Sequence, residues 1–297
     1  MEQSFITTIL LPVSLGIIML GLGLTLTPDD FRRVFKYPRA VFIGLLVQLI
    51  ALPLLCLLLV KVLRTDPVIA VGFMVLAASP GGTTASLYSH LFKGDVALNI
   101  TLTAVNSVVS LFTMPLVVNL ALMIFLGDGK TLPLQHAKVM QVFAIVLTPM
   151  TIGMIIRHRF PEASKRLYRP VKIASAFFLV LIIAGAIAQE SQNFVKFFRE
   201  VGATALLFNL TSMAVGYMIP LITGLNKGEA IAISMEIGIH NAAFAITIAA
   251  SPMLLNNGMM AVPPAVYGLI MMFTAAGFGF LVSRKHGKED ENAKTSA

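Results

Sequence analysis

The chain has 297 residues, of which 57% are hydrophobic and 12% charged; that charged share is about half of what an ordinary soluble domain carries. Continuous apolar runs of about 20 residues recur from end to end, which marks a polytopic helical membrane protein and excludes the alternating pattern of an outer-membrane barrel. The formal net charge of +8 calls for no nucleic-acid partner, because membrane orientation and attraction to anionic lipid account for it.

In chain order the apolar runs predict nine spans, at 5–24, 40–63, 68–91, 96–126, 138–157, 171–190, 201–224, 229–251 and 260–283. The first has no basic flank, Glu2 being its only early charge, and no clear small-x-small cleavage site, so it is expected to be a retained span. The fourth run is too short for two helices and is expected to be one tilted helix kinked near Pro115. Of the 22 Lys and Arg residues, 16 fall in the odd-numbered connections and the C-terminal tail. That bias places the N-terminus outside and the C-terminus in the cytoplasm. Residues 1–283 are expected to form one membrane domain, and 284–297, charged and without apolar periodicity, a disordered cytoplasmic tail. The single cysteine, Cys56, excludes an intramolecular disulfide and is expected to be a buried spectator thiol.

Two of the nine spans contain sequences that a spanning helix does not tolerate without reason. The third holds Ala78-Ser-Pro-Gly-Gly-Thr-Thr-Ala-Ser86. Pro80 followed by Gly81 and Gly82 frees backbone groups that lipid cannot satisfy, so the break must line a cavity. The eighth holds Glu236, Gly238, His240 and Asn241, and Glu236 is the only formal charge between Glu229 and Arg284. A carboxylate at membrane depth costs several kcal/mol unless it is paired, protonated or bound to a cation. Interrupted spans in corresponding positions of two halves point to the midplane site of a secondary transporter. The plainer alternative is a proline kink and a packing glycine.

Neutral oxygen donors collect around both breaks: Thr83, Thr84 and Ser86 at the first, Ser234, Asn241 and Thr247 at the second. In the fourth span Asn99, Thr103 and Asn106 stand at i, i+4 and i+7 on one helical face, among Thr101 and Ser107. One carboxylate among neutral oxygens suits a monovalent ion, sodium above all, better than a divalent one. Any one of these hydroxyls taken alone is as well explained by helix–helix hydrogen bonding. His240 follows Glu236 by four residues and shares its face if the segment stays helical. It then donates a hydrogen bond to the carboxylate, orients the ion, or takes part in proton coupling. Zinc is not expected, since no second His or Cys is within reach.

Pro80–Thr83, Lys93-Gly-Asp-Val-Ala-Leu98 leading into Thr101-Leu-Thr-Ala-Val105, Glu236-Ile-Gly-Ile-His-Asn241 and the opening stretch 16–31 together resemble the bile-acid:sodium symporter family in order and spacing. The resemblance implies an all-α fold of two inverted repeats, here of the nine-helix kind. Its core would contain the third, fourth, eighth and ninth spans plus one from the middle, and its panel the first, second and fifth. It also implies two sodium sites sharing Glu236. Site one falls on Ala85, Ser86, Asn99 and Thr103; site two on the Ile237 and Ile239 carbonyls and His240. Three positions depart from the family pattern: Ala85 lacks a hydroxyl, Ser86 shortens an amide, and His240 replaces a glutamine. Asn99 and Thr84 can restore an oxygen, whereas a neutral imidazole nitrogen is a poor sodium ligand.

The expected function is sodium-coupled import of a small organic anion across the inner (plasma) membrane, with no cofactor beyond Na+. Pro80, Gly81, Gly82, Thr83, Thr84, Asn106 and Asn241 would line the crossover where substrate sits. The partners are then the anion, sodium and the lipid bilayer, with no nucleic acid. The rivals are a proton-coupled transporter of the same fold using Glu236 and His240, a membrane-embedded enzyme using them as base and acid, and a passive channel. Against the enzyme, no paired carboxylates or metal motif accompany Glu236.

Overall fold

Backbone groups in lipid find partners only within their own helix or in a neighbouring chain segment, and the apolar runs accordingly become helices. The computed structural model describes residues 11–127, 136–171, 173, 174, 177, 194–251 and 254–295, and every regular element among them is helical. In chain order these are α1 (Leu11–Gly23), α2 (Pro28–Arg32), α3 (Pro38–Leu46), α4 (Leu52–Val62), α5 (Pro67–Ala77), α6 (Ala85–Leu91), α7 (Val96–Leu126) and α8 (His136–Arg159). A helix over 161–171, α9, follows. The remainder are α10 (Phe194–Ile222), α11 (Lys227–Gly238), α12 (Ala242–Ala250) and α13 (Gly258–Thr295).

Polar caps set where several of these begin. Asp66 accepts from the Val68 and Ile69 amides at the start of α5, Asp95 from Leu98 at the start of α7, and Asn226 with Glu229 forms a capping box on α11. α3 and α4 are joined by a π-helical turn, Val47–Ala51. Pro53, which has no N–H to give to the preceding turn, lies just beyond it. The pair reads as one continuous span, Pro38–Val62.

Among the described residues four helices are long and apolar enough to cross a membrane: Pro38–Val62, Val96–Leu126, Val201–Ile222 and Gly258–Ser283. α1 with the segment Pro28–Phe35 makes a further candidate, bent by 72°. The predicted spans 40–63, 96–126, 201–224 and 260–283 coincide with the four. Spans 68–91 and 229–251 are each divided, into α5 and α6 and into α11 and α12. The fourth span is a single helix with Pro115 inside it. Predicted span 171–190 lies outside the described residues apart from positions near its start. α13 continues as helix to Thr295, where the sequence suggests disorder from 284; the Lys, Glu and Ala residues of that stretch have high intrinsic helix propensity.

α5, α11 and α12 are buried on nearly every side, as helices at the centre of a bundle must be. α10 and α13 pack against α11, while α7 packs against both α5 and α11. α1 packs mainly against α8. There Gly23 and Gly153 let the two backbones meet, since a Cβ on Gly153 would stand 2.6 Å from the Leu20 carbonyl oxygen. The second span departs from its expected place in a panel with α1 and α8: α3 and α4 pack against α5, α7 and α10. Gly44 and buried Gln48 turn that span inward, toward Leu102 and the first helix break.

Candidate functional site

The two interruptions meet. Residues 79–84 separate α5 from α6, residues 239–241 separate α11 from α12, and the two stretches run antiparallel with Gly81 bridged to His240. The Gly82 amide donates to the Ile239 carbonyl at 2.6 Å and the Asn241 amide to the Pro80 carbonyl at 2.9 Å. Each break therefore satisfies backbone groups that the other has freed, which is how irregular backbone survives at membrane depth. Neither Gly81 nor Gly82 has a positive φ. Close approach is what requires them: a Cβ on Gly81 would overlap the Glu236 carboxylate, and one on Gly82 would lie 3.0 Å from the His240 carbonyl oxygen.

Glu236 stands in the last turn of α11, 2% exposed. Its Oε2 accepts a hydrogen bond from Thr103 Oγ1 at 2.6 Å, while Oε1 has no hydrogen-bond partner. The backbone amide of Gly81 and the side-chain amide of Asn106 approach the carboxylate without reaching hydrogen-bond geometry. Among the described residues no Lys, Arg or His pairs with it. The charge is thus buried without a counter-charge among the described residues.

The α7 face predicted from spacing is turned to this carboxylate. Asn99 donates through Nδ2 to the Ala232 carbonyl at 2.9 Å, which leaves its Oδ1 buried and unpartnered. Both polar atoms of the Asn106 side chain are likewise buried without partners. Thr101 and Ser107 spend their hydroxyls on carbonyls of α7 itself, Ala97 at 2.8 Å and Thr103 at 2.6 Å. Ser234 bonds the Met213 carbonyl at 2.8 Å and so ties α11 to α10, while Thr247 bonds the Ala243 carbonyl one turn back in α12 at 2.8 Å; neither hydroxyl joins the cluster.

His240 does not reach the carboxylate along a helical face, because α11 ends at Gly238 and Ile239 is extended, with φ −110° and ψ 90°. Its Nδ1 lies 3.4 Å from the Ser79 carbonyl oxygen and its Nε2 is buried without a partner. The ring stacks on Phe208, centroids 6.2 Å apart, and meets Tyr267 edge-on at 5.4 Å. Gln48 donates to the same Ser79 carbonyl at 3.0 Å, with its Oε1 unpartnered. Sequence reasoning did not place Gln48 in the site; an amide in an otherwise apolar run was the available signal. It also missed Asn209 and Tyr267, which both hydrogen-bond the Gly238 carbonyl, at 2.7 and 2.9 Å, and so fix the end of α11.

Other expected positions lie at the margin. Thr83 is exposed, Thr84 faces Met272, and the Ser86 hydroxyl donates to the Thr83 carbonyl at 3.2 Å. Asn241 caps α12 through the Phe244 amide at 3.0 Å. Ile237 and Ile239 are fully buried. Among the described residues no group of three or more His, Cys, Asp and Glu is placed to hold a metal ion. The unpartnered atoms are mostly oxygens, a donor set for a hard monovalent cation.

The sequence profile described as the Sodium Bile acid symporter family matches residues 12–197. The chain belongs to that family. Similar proteins include "Probable sodium/metabolite cotransporter BASS1, chloroplastic" of Arabidopsis thaliana, 30% identical over 86% of this chain and 62% of the relative. The corresponding BASS2 of Oryza sativa is 26% identical over 89% of this chain and 61% of the relative. "Uncharacterized sodium-dependent transporter YocS" of Bacillus subtilis is 25% identical over 96% of this chain and 86% of the relative. The chain thus spans about three-fifths of the length of the two plant proteins it matches. The family is one of transporters, so the membrane-enzyme alternative falls away.

Proposed function

We propose that this family member is a sodium-coupled symporter that imports a small organic anion across the inner (plasma) membrane. The observation that carries the proposal is Glu236: buried, without a counter-charge among the described residues, and set among unpartnered amide oxygens where two helix breaks cross. The first site takes Glu236, Asn99 and Thr103, with Ser86 at the edge of the break. The second takes Glu236, the Ile237 and Ile239 carbonyls and His240, to which Gln48 is added because its Oε1 lies beside the same break. Carbonyls at the C-terminus of α11 carry partial negative charge that favours a cation, and the N-terminus of α12 favours an anion. Substrate therefore sits against Pro80–Thr84 and Asn241, at the crossover.

In this reading residues 1–283 are one membrane domain of nine spans, with the N-terminus outside and the charged tail in the cytoplasm. α1 and α8 belong to the panel. The core holds the broken spans with α3, α4, α7, α10 and α13, and alternating access is the rocking of one body against the other.

Purified protein in proteoliposomes, given a panel of organic acids, should take one up under an inward sodium gradient and not under a proton gradient alone. Uptake driven by protons and indifferent to sodium would select the proton-coupled rival. His240→Gln separates the two further. Glutamine offers an amide oxygen where imidazole offers one nitrogen, so sodium-driven uptake should persist with equal or tighter apparent sodium affinity. Loss of uptake together with loss of its pH dependence would instead make His240 a proton carrier.

A further inference from the structure

We propose that Asn106 is a ligand of the first sodium site, supplying from α7 the amide oxygen that the chain lacks at position 86. This rests on the sodium reading above. Asn106 is 1% exposed and neither polar atom of its side chain has a hydrogen-bond partner. A buried amide left without donor or acceptor partners is costly, and native structures rarely keep one without a use for it. The side-chain amide approaches the Glu236 carboxylate without reaching hydrogen-bond geometry, and Glu236 Oε1 is unpartnered in the same sense.

Two neighbours on the same face define the direction. Thr103 is bonded to Glu236 Oε2 at 2.6 Å. Asn99 is held by Nδ2 on the Ala232 carbonyl, which fixes its free Oδ1. On the other side of the carboxylate, at the Pro-Gly-Gly break, nothing comparable is offered: Ala85 carries a methyl group, and the Ser86 hydroxyl is bonded to the Thr83 carbonyl at 3.2 Å. The oxygen-rich wall of the site therefore lies on α7. Glu236 with Asn99, Thr103 and Asn106 gives one negative charge and three neutral oxygens, a balance suited to a monovalent cation.

A structural asparagine and a ligand asparagine respond oppositely to Asn106→Leu. The test is the melting temperature of the purified full-length protein, titrated with sodium chloride and, at matched ionic strength, choline chloride. If Asn106 is a ligand, N106L removes two unsatisfied atoms: its melting temperature in choline should equal or exceed that of the wild type. Its apparent sodium affinity should fall at least about tenfold, since only species that bind the folded state raise its melting point. Asn106→Ala should show the same lost sodium response and decides the matter should leucine prevent folding. Ser110→Ala, at another buried polar position of α7, should keep the wild-type response. N106L and N106A proteins that retain wild-type sodium affinity, with or without a lower melting point in choline, would overturn the assignment and leave the sodium reading standing. A wild type that gains nothing from sodium would overturn both.

Discussion

Glu236→Gln is expected to abolish sodium-driven uptake while leaving folding and membrane insertion intact. The change keeps the shape and one oxygen but removes the charge. A unit charge about 4 Å from a monovalent ion at an effective dielectric of about 20 is worth roughly 4 kcal/mol, and part of this is returned because a neutral amide is cheaper to bury. A loss of about two to three decades in apparent sodium affinity follows. Because Glu236 is shared by both proposed sites, the two sites should fail together. Thr103, whose hydroxyl donates to the carboxylate, can still donate to the Gln oxygen. Wild-type membrane levels with uptake near background would fit the expectation; uptake at the wild-type rate and sodium dependence would remove Glu236 from the site.

Gly81→Ala is expected to be nearly as damaging by a different route. The added methyl group occupies the space of the Glu236 carboxylate, so either the carboxylate turns away from Thr103 or the break moves away from α11. Overpacking of a filled interior costs about 1–3 kcal/mol, enough to lower the melting temperature by several degrees without unfolding the protein. Sodium-driven uptake should be lost. Gly82→Ala meets only the tighter-than-usual contact with the His240 carbonyl at 3.0 Å and should retain part of its activity. Equal and normal transport by both variants would show that the crossing is looser than described.

The spans were legible because lipid imposes a minimum apolar length, and Pro38–Val62, Val96–Leu126, Val201–Ile222 and Gly258–Ser283 each exceed it. Both breaks were legible for the complementary reason: Pro80-Gly81-Gly82 and the Glu236–Asn241 stretch put helix-breaking or polar residues where apolar helix was required. The one-face arrangement of Asn99, Thr103 and Asn106 followed from helical spacing alone, since α7 is unbroken there. His240 shows the limit of the same rule. Its i+4 relation to Glu236 assumed a helix that stops at Gly238, and beyond that residue the side chain follows the extended backbone toward Ser79 and the Phe208 and Tyr267 rings. The antiparallel seam between Gly81 and His240 and the reach of Gln48 across to Ser79 depend on which helices become neighbours. No local pattern encodes that choice; α3 and α4 pack against α5, α7 and α10, where the resemblance implied a place beside α1 and α8.

The measurement that bears most directly on the central claim is the sodium dependence of thermal stability in purified wild-type and Glu236→Gln protein, each referred to choline at the same ionic strength. A cation bound to the folded state stabilises it by RT ln(1 + [L]/Kd), so a bound site shows as a saturable rise in melting temperature. The wild type should show that rise and Glu236→Gln should not. Equal rises in the two proteins, or no rise specific to sodium in the wild type, would contradict a sodium site built on Glu236.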